Sequence, residues 1–127
     1  KNLLGQGSYG KVRLCVHEPT NELYAVKCLK KSDNLRPTRL QYLMTEAEIL
    51  CSIEHPFIIK LCQTFQDEEH LYMIMEYAPG GEIWKHIKDA GRFSNEVARF
   101  YSAEAALALD YLHTQGIIYY DLKPENL

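Results

Sequence analysis

The residues best suited to catalytic chemistry are 121–126 (DLKPEN), near the carboxyl end of the 127-residue sequence. It places a carboxylate, a cation and an amide on one short loop that Pro124 stiffens. Asp121 could orient a hydroxyl group and accept its proton, Lys123 could neutralise a phosphoryl group in transfer, and Asn126 could ligate a metal ion. The combination favours phosphoryl-transfer chemistry, although a polar surface loop would explain any one of these residues alone.

Residues 5–10 (GQGSYG) form a glycine-rich segment. Glycines let backbone N–H groups approach phosphate oxygens, so a phosphate cover is one interpretation, and a tight hairpin whose glycines relieve steric strain is the other. A dinucleotide-binding fingerprint needs a helix after the third glycine, whereas residues 11–16 alternate apolar and polar side chains as a strand does. No Gly-Lys-Ser/Thr sequence closes the segment, which excludes a Walker loop.

Lys27 and Glu46 are candidates for a buried ion pair. Lys27 lies in a predicted strand and shares a face with Ala25, whose small side chain leaves room for a flat group such as an adenine ring. Glu46 lies on the apolar side of a predicted helix, where an unpaired carboxylate would be costly. Lys27 is its simplest partner, and the pair would aim the ammonium group at phosphates. The alternatives are a solvated Lys27 and a role for Glu48 in place of Glu46.

Hydrophobic periodicity predicts that the amino-terminal part is rich in strands. The predicted strands are residues 11–16, 23–29, 57–65 and 71–75, and the polar residues 66–69 make the last two a hairpin. Between them, apolar residues recur at three- and four-residue spacing and predict one helix that ends before Pro56. The apolar residues of this helix are Leu40, Leu43, Met44, Ala47 and Leu50.

The carboxyl-terminal part is predicted to be helical. Residues 78–81 (APGG) are the clearest break in the chain and predict a hinge or boundary. A short helix should follow around residues 83–87, and a longer one over residues 95–115, with Ser94 as its N-cap and Gly116 just past its end. The apolar stripe of the longer helix is Val97, Tyr101, Ala105, Ala108 and Leu112. This order of elements indicates an α+β fold rather than a doubly wound sheet.

Composition and charge exclude several classes of protein. The sequence is 46% hydrophobic and 24% charged, as globular proteins are, which excludes disordered, collagen-like and heptad-repeat chains. A formal net charge of -3 gives no basic excess for nucleic acid or an anionic membrane. The four cysteines form no Cys-x-x-Cys pair, so we expect neither a disulfide framework nor a zinc site. With no signal peptide or membrane-spanning run, we expect a reducing compartment: the cytoplasm, with the nucleus as a second location.

The motifs resemble those of eukaryotic serine/threonine protein kinases over essentially the whole chain. Residues 5–12 match the glycine-rich loop of that family, and residues 25–27 match its lysine-bearing strand. Residues 121–126 match the catalytic loop in its serine/threonine form. Residues 73–82 (MIMEYAPGGE) are similar to the hinge of the cAMP-dependent branch of the family, and residues 91–101 extend that likeness.

This resemblance implies a small lobe over residues 1–77, made of an antiparallel five-stranded sheet and one helix. It implies that residues 78–127 hold the end of the hinge and the first part of an incomplete helical lobe, up to the catalytic loop. ATP and Mg²⁺ are the implied cofactors. The implied adenine site comprises Leu4, Val12, Ala25, Met75 as gatekeeper, and the backbone of Glu76 and Ala78. The implied phosphate site comprises Gly5, Gly7, Ser8, Gly10, Lys27 and its partner Glu46.

By the same resemblance, Asp121 is the catalytic base, Lys123 approaches the γ-phosphate and Asn126 holds a magnesium ion. Glu82 would contact the ribose and an arginine of the substrate, and Glu125 a second arginine. The implied activity is transfer of the γ-phosphoryl group of ATP to serine or threonine in proteins with basic residues before the target. Such substrates are the expected partners, together with a regulatory subunit or an inhibitor, and neither nucleic acid nor a membrane is expected.

Two departures from the family pattern bear on activity. Tyr120 stands where the family carries an arginine that pairs with activation-loop phosphate, and a neutral phenol cannot form that pair. The sequence also stops one residue after Asn126, before the Asp-Phe-Gly aspartate and the activation loop, so we expect the 127-residue chain alone to be inactive. A non-catalytic alternative therefore stays open: a pseudokinase or a truncated isoform that binds nucleotide or a partner.

Overall fold

The computed structural model describes the backbone of residues 2–7, 10–32 and 37–127, and the side chains of these residues except 6, 7, 37–40 and 46. The chain divides into two compact units. The sheet unit comprises Lys1–Glu54 and Ile59–Tyr77, and the helical unit comprises His55–Ile58 and Ala78–Leu127.

The sheet unit contains five strands and one helix. The strands are β1 (Asn2–Gly7), β2 (Gly10–His17), β3 (Glu22–Lys30), β4 (Leu61–Gln66) and β5 (His70–Glu76), and the helix is α1 (Pro37–Ser52). The strands lie in the order β1-β2-β3-β5-β4, and every neighbouring pair is antiparallel. The α+β fold with a five-stranded antiparallel sheet is therefore confirmed.

The hydrophobic core of the sheet unit lies between one face of the sheet and α1. Leu29, Leu61, Leu71 and Met73 come from three strands and pack around Ala47 of α1, which is 1% exposed. Apolar side chains from β3 and β5 reach one core because residues two apart on a strand share a face.

The buried face of α1 is narrower than predicted. Leu43, Ala47 and Cys51 form the row that packs on the core, whereas Met44 and Leu50 are each 37% exposed. The side chain of Leu40, also predicted for this face, lies outside the described residues. At about 100° per residue, Met44 and Leu50 point roughly 60° to either side of Ala47, so both sit at the rim of the contact.

The predicted strand over residues 57–65 is wrong in its first part. β4 begins only at Leu61, because the residues before it form a turn in which the N–H of Ile58 donates to the carbonyl of His55 at 3.1 Å. The hairpin after β4 is confirmed, and the N–H of Asp67 donates to the carbonyl of His70 across its turn at 3.0 Å.

The helical unit contains α2 (Ile83–Ala90), α3 (Asn95–Thr114) and a short 3₁₀ turn (Pro124–Asn126). Both predicted helices are confirmed. Ser94 caps α3, since its Oγ accepts from the N–H of Val97 at 3.3 Å, and Gly116 follows the helix with a φ of 72°. Of the predicted stripe along α3, Ala108 and Leu112 are buried. No helix among the described residues is long and apolar enough to cross a membrane.

Candidate active site

The 121–126 segment is an extended stretch that turns into the 3₁₀ turn. Lys123 precedes the turn with φ -160° and ψ 158°, and Pro124 occupies its first position. Proline suits that position because its fixed φ starts a helical turn and its missing N–H is not needed there. The N–H of Asn126 then donates to the carbonyl of Lys123 at 2.9 Å, which closes the turn.

The three residues singled out for chemistry meet around one carboxylate. The Nζ of Lys123 lies 2.8 Å and 2.9 Å from Oδ1 and Oδ2 of Asp121. The Nδ2 of Asn126 donates to Oδ2 of Asp121 at 2.9 Å and to the Asp121 carbonyl at 2.8 Å. Asp121 is thus held by a cation and an amide from the turn that follows it, while Glu125 of the same turn is exposed.

The hydrogen bonds of this cluster move both pKa values further from neutral pH. Hydrogen bonds from Lys123 and then from Asn126 lower the pKa of the Asp121 carboxyl. The same contact with Asp121 raises the pKa of the Lys123 ammonium group. A carboxylate with a lowered pKa is a weak proton acceptor and a good hydrogen-bond acceptor, so this geometry suits orientation of a hydroxyl group more than its early deprotonation.

Two contacts that the sequence did not predict attach other segments to α2. The N–H of Ile83, the first residue of α2, donates to the carbonyl of Leu127 at 2.7 Å. The Nε2 of His86 hydrogen-bonds the carbonyl of Gly80 at 2.7 Å. The first contact joins two backbone groups, which leave no signature in a sequence, and the second has no motif spacing that would single it out.

In the sheet unit, four predicted nucleotide-site residues share one face of the sheet. Val12 lies opposite Lys27 in the β2–β3 register, and Ala25 lies opposite Met75 in the β3–β5 register. Directly opposed residues of antiparallel strands project from the same face, and Ala25 and Lys27 are two apart on β3. Lys27 is half-buried on this face. The side chain of Glu46 lies outside the described residues, and so does the predicted Lys27–Glu46 pair.

Gly5 and Gly7 lie in β1 and Gly10 begins β2, and in the antiparallel pairing of these strands Gly7 lies opposite Gly10. A Cβ on Gly10 would collide with the carbonyl of Cys28 on β3, and φ is 151° there, so packing inside the sheet requires this glycine. At Gly5, by contrast, no described atom lies within 4 Å of the place a Cβ would take. Ser8, a predicted phosphate ligand, lies outside the described residues.

The remaining predicted ligands are placed as follows. Leu4 is 42% exposed beside the bulge where the β1–β2 register shifts. The N–H of Glu76 donates to the carbonyl of Lys60 at 2.9 Å, so this N–H is already bonded within the sheet unit. Ala78 is exposed, and its carbonyl accepts from the N–H of Gly81 at 3.3 Å. Glu82 precedes α2 as its N-cap, and its side chain makes no capping hydrogen bond.

Among the described residues, no three His, Cys, Asp or Glu side chains form a cluster that could hold a metal ion. The amide of Asn126 still suits Mg²⁺, because its nitrogen donates to Asp121 and its oxygen is the atom that a hard cation prefers.

Comparison with known proteins gives the class. A family model described as "Protein kinase domain" matches residues 1–127. The chain belongs to the protein kinase family. It is 47% identical over 125 residues to a cAMP-dependent protein kinase catalytic subunit of Dictyostelium discoideum. It is 48% identical over 124 residues to a protein of the same name from Arthrobotrys oligospora, and 44% identical over 124 residues to cAMP-dependent protein kinase type 3 of Saccharomyces cerevisiae.

These relatives are much longer than the chain. Each match covers 98% of the chain, but only 19% of the Dictyostelium protein, 24% of the Arthrobotrys protein and 31% of the Saccharomyces protein. The predicted likeness to serine/threonine kinases of the cAMP-dependent branch is confirmed by these names.

Proposed function

We propose that this chain is the nucleotide-binding and catalytic-loop segment of a serine/threonine protein kinase, which transfers the γ-phosphoryl group of ATP to protein hydroxyl groups. The observation that carries the proposal is the cluster of Asp121, Lys123 and Asn126 around one carboxylate. The sheet unit adds support to the proposal, because one face of its sheet bears Val12, Ala25 and Lys27.

The charge states of the cluster fit the reaction. With its lowered pKa, Asp121 is ionised at neutral pH and accepts a hydrogen bond from the substrate hydroxyl, which orients the nucleophile. Lys123, with its raised pKa, stays cationic and neutralises charge on the phosphoryl group as it is transferred. To act in this way, Asp121 must replace part of its contact with Lys123 by a contact with the substrate hydroxyl. Lys123 must replace part of the same contact by one with the phosphoryl group.

Magnesium-ATP is the proposed cofactor. Mg²⁺ supplies charge neutralisation for the phosphates and usually takes few ligands from protein. The amide oxygen of Asn126 would be one of those ligands. In the sheet unit, the ammonium group of Lys27 would bind phosphate oxygens, and Ala25, 9% exposed and next to it on the same face, would pack on adenine.

A preference for basic substrates is proposed from two carboxylates of the helical unit. Glu82 directly precedes the residue of α2 that binds Leu127, and Glu125 lies two residues before Leu127. Both side chains are exposed, and neither belongs to a described salt bridge. Arginine side chains bind carboxylates through paired hydrogen bonds, so a substrate with arginines before its serine would suit this surface.

Nucleotide binding is tested by the thermal shift of the chain with magnesium-ATP. We expect ATP to raise Tm, and Lys27→Met to abolish the rise because it removes the phosphate-binding cation. Lys30→Met is the matched control, since Lys30 ends the same strand, is exposed, and lies on the other face. No shift in the wild-type chain, or an equal shift in Lys27→Met, would contradict the nucleotide site.

Transfer is tested in a chimera, in which residues 1–127 replace the matching segment of the Saccharomyces cerevisiae relative. We expect the chimera to phosphorylate a serine peptide with preceding arginines, and Asp121→Asn to lower kcat by a factor of about 10² or more. Glu82→Gln with Glu125→Gln should raise KM for that peptide and spare a peptide without arginines. ATP binding without transfer would instead support the non-catalytic nucleotide-binding module.

A further inference from the structure

The amino-terminal end of α2 is bound to the residue that follows the catalytic cluster. The N–H of Ile83 donates to the carbonyl of Leu127 at 2.7 Å, and Leu127 comes directly after Asn126. This is a short N–H···O bond, and α2 and the 3₁₀ turn pack against each other around it.

The bond also gives the amino-terminal end of α2 a hydrogen-bond acceptor. The first N–H groups of a helix have no partner within the helix, and they carry the positive end of its dipole. The N-cap residue Glu82 makes no side-chain capping bond. The carbonyl of Leu127 therefore accepts from one of these N–H groups, at the positive end of the helix.

Covalent and hydrogen bonds connect this contact to the carboxylate of Asp121. Leu127 is joined to Asn126, whose N–H closes the 3₁₀ turn on the Lys123 carbonyl at 2.9 Å. The side-chain amide of Asn126 then holds both the carbonyl and the carboxylate of Asp121. Every step after the first lies within residues 121–127, and the hydrogen bond from Ile83 joins that segment to α2.

We propose that the backbone N–H of Ile83 is a positioning group for the catalytic loop, which fixes Asn126 and through it the orientation of the Asp121 carboxylate. The relevance of this role to catalysis rests on the proposed kinase function, but the coupling itself is a property of the free chain. The role belongs to the backbone of α2 and is independent of the Ile83 side chain.

Ile83→Pro removes the N–H with little cost to the helix. Proline is favoured at the first helical position, and it requires an extended residue before it. Glu82 already has φ -85° and ψ 139°, which satisfies that requirement. Ile83→Ala is the matched control, because it also removes the isoleucine side chain but keeps the N–H. An ester in place of the 82–83 peptide bond is a second variant, since it removes the N–H and keeps the side chain.

The readout is the hydrogen exchange of the Asn126 side-chain amide, measured by NMR in the 127-residue chain without nucleotide. The chain carries a C-terminal amide, so that Leu127 keeps a neutral carbonyl. We expect Ile83→Pro and the ester to accelerate Asn126 exchange by about fivefold, the effect of losing one typical hydrogen bond. Ile83→Ala should leave the exchange rate near that of the wild type. Loss of stability in α2 alone would change the circular dichroism but would not accelerate Asn126 exchange.

The proposal is overturned if Asn126 exchange stays unchanged in the ester variant, or if Ile83→Ala changes it as much as Ile83→Pro does. If proline lowers the helical circular dichroism, the ester variant decides. Because no nucleotide is present, a chain that shows the coupling but fails to bind magnesium-ATP would remove the proposed function and leave this inference standing.

Discussion

The imidazole ring of His55 stacks on the phenol ring of Tyr111, with ring centroids 5.0 Å apart and planes inclined by 30°. Tyr111 lies near the end of α3, whereas His55 follows α1 in the sequence. The Nδ1 of His55 also accepts from the N–H of Phe57 at 3.2 Å, which keeps the turn compact around the stacked ring. The stack is one contact that joins residues 55–58 to the helical unit, although α1 and β4 on either side of them belong to the sheet unit.

The stacking contribution can be measured with two substitutions of Tyr111. Tyr111→Phe and Tyr111→Leu both lack the hydroxyl group, so they differ in the aromatic ring alone. We expect the leucine variant to be less stable than the phenylalanine variant by about 1 kcal/mol, the usual value of an aromatic pair. Urea unfolding followed by the fluorescence of Trp84, the single tryptophan of the chain, measures this difference. Equal unfolding midpoints would mean that the ring contact contributes nothing.

Because Gly10 lies close to β3, we expect the addition of one methyl group at Gly10 to lower the stability of the fold strongly. Gly10→Ala would place a Cβ against the Cys28 carbonyl at a φ of 151°, so we expect a loss of about 2 kcal/mol or more in the free energy of unfolding. Gly5→Ala is the control from the same hairpin, with no described atom within 4 Å of its Cβ, and should change stability by less than about 0.5 kcal/mol. Similar losses in the two variants would refute the steric explanation.

Much of the fold could be predicted because its signals are local. The helix over residues 95–115 follows from an apolar stripe, a serine cap and a terminal glycine, and the structure places α3 at Asn95–Thr114. Hydrophobic periodicity did not place β1, because glycines occupy two of its six residues and leave no alternation to detect. The start of β4 was also missed, because the turn between His55 and Ile58 interrupts the apolar run, and the contact of His55 with Tyr111 is long-range and has no local signal.

The candidate site likewise combines groups that could be identified from the sequence with a contact that could not. Residue types and spacing within the 121–126 segment were enough to single out Asp121, Lys123 and Asn126, because all three lie within six residues. The position of that segment depends on the bond between Ile83 and Leu127, which joins backbone groups 44 residues apart in sequence. No side-chain pattern encodes such a bond, so the sequence could identify the chemical groups but not the helix that holds them.

A carboxylate caps the turn between β4 and β5, and it should make that hairpin sensitive to acid. Oδ1 of Asp67 accepts from the N–H groups of Glu69 and His70 at 2.8 Å and 2.6 Å, and Oδ2 accepts from the Tyr72 hydroxyl at 2.8 Å. The Tyr72 hydroxyl and then the His70 N–H lower the pKa of Asp67. A lowered folded-state pKa stabilises the fold above the unfolded-state pKa, and this stabilisation disappears as the pH falls through the folded-state value.

We therefore expect the urea midpoint of the wild-type chain to fall more steeply than that of Asp67→Asn when the pH is lowered from about 6 to about 3. This range brackets the ordinary aspartate pKa of about 3.9. Asparagine is the matched variant because it keeps an oxygen for the turn N–H groups and has no charge to titrate. Asp67→Ala should be less stable than Asp67→Asn at both pH values, since it leaves those N–H groups without the cap. The interpretation fails if wild type and Asp67→Asn respond equally to acid.

The Asp121–Lys123 contact predicts opposite pKa shifts for its two members. Asp121 has a lowered pKa, so the contact stabilises the loop above the unfolded-state pKa of the carboxyl and weakens as the pH falls through the folded-state value. Lys123 has a raised pKa, so its contribution is complete below the ordinary lysine pKa and is lost as the pH rises through the raised value. The pair is therefore intact across the whole neutral range, in which a kinase works.

Lys123→Met should raise the Asp121 pKa, as measured by NMR titration, because it removes the larger of the two hydrogen-bonding causes of the lowered value. Lys123→Arg should keep it low, since a guanidinium group also donates to a carboxylate. Lys85→Met serves as the control for loss of one positive charge, because Lys85 is exposed on α2 of the same unit. A rise of the same size in Lys85→Met would show that net charge, and not the direct contact with Lys123, lowers the pKa of Asp121.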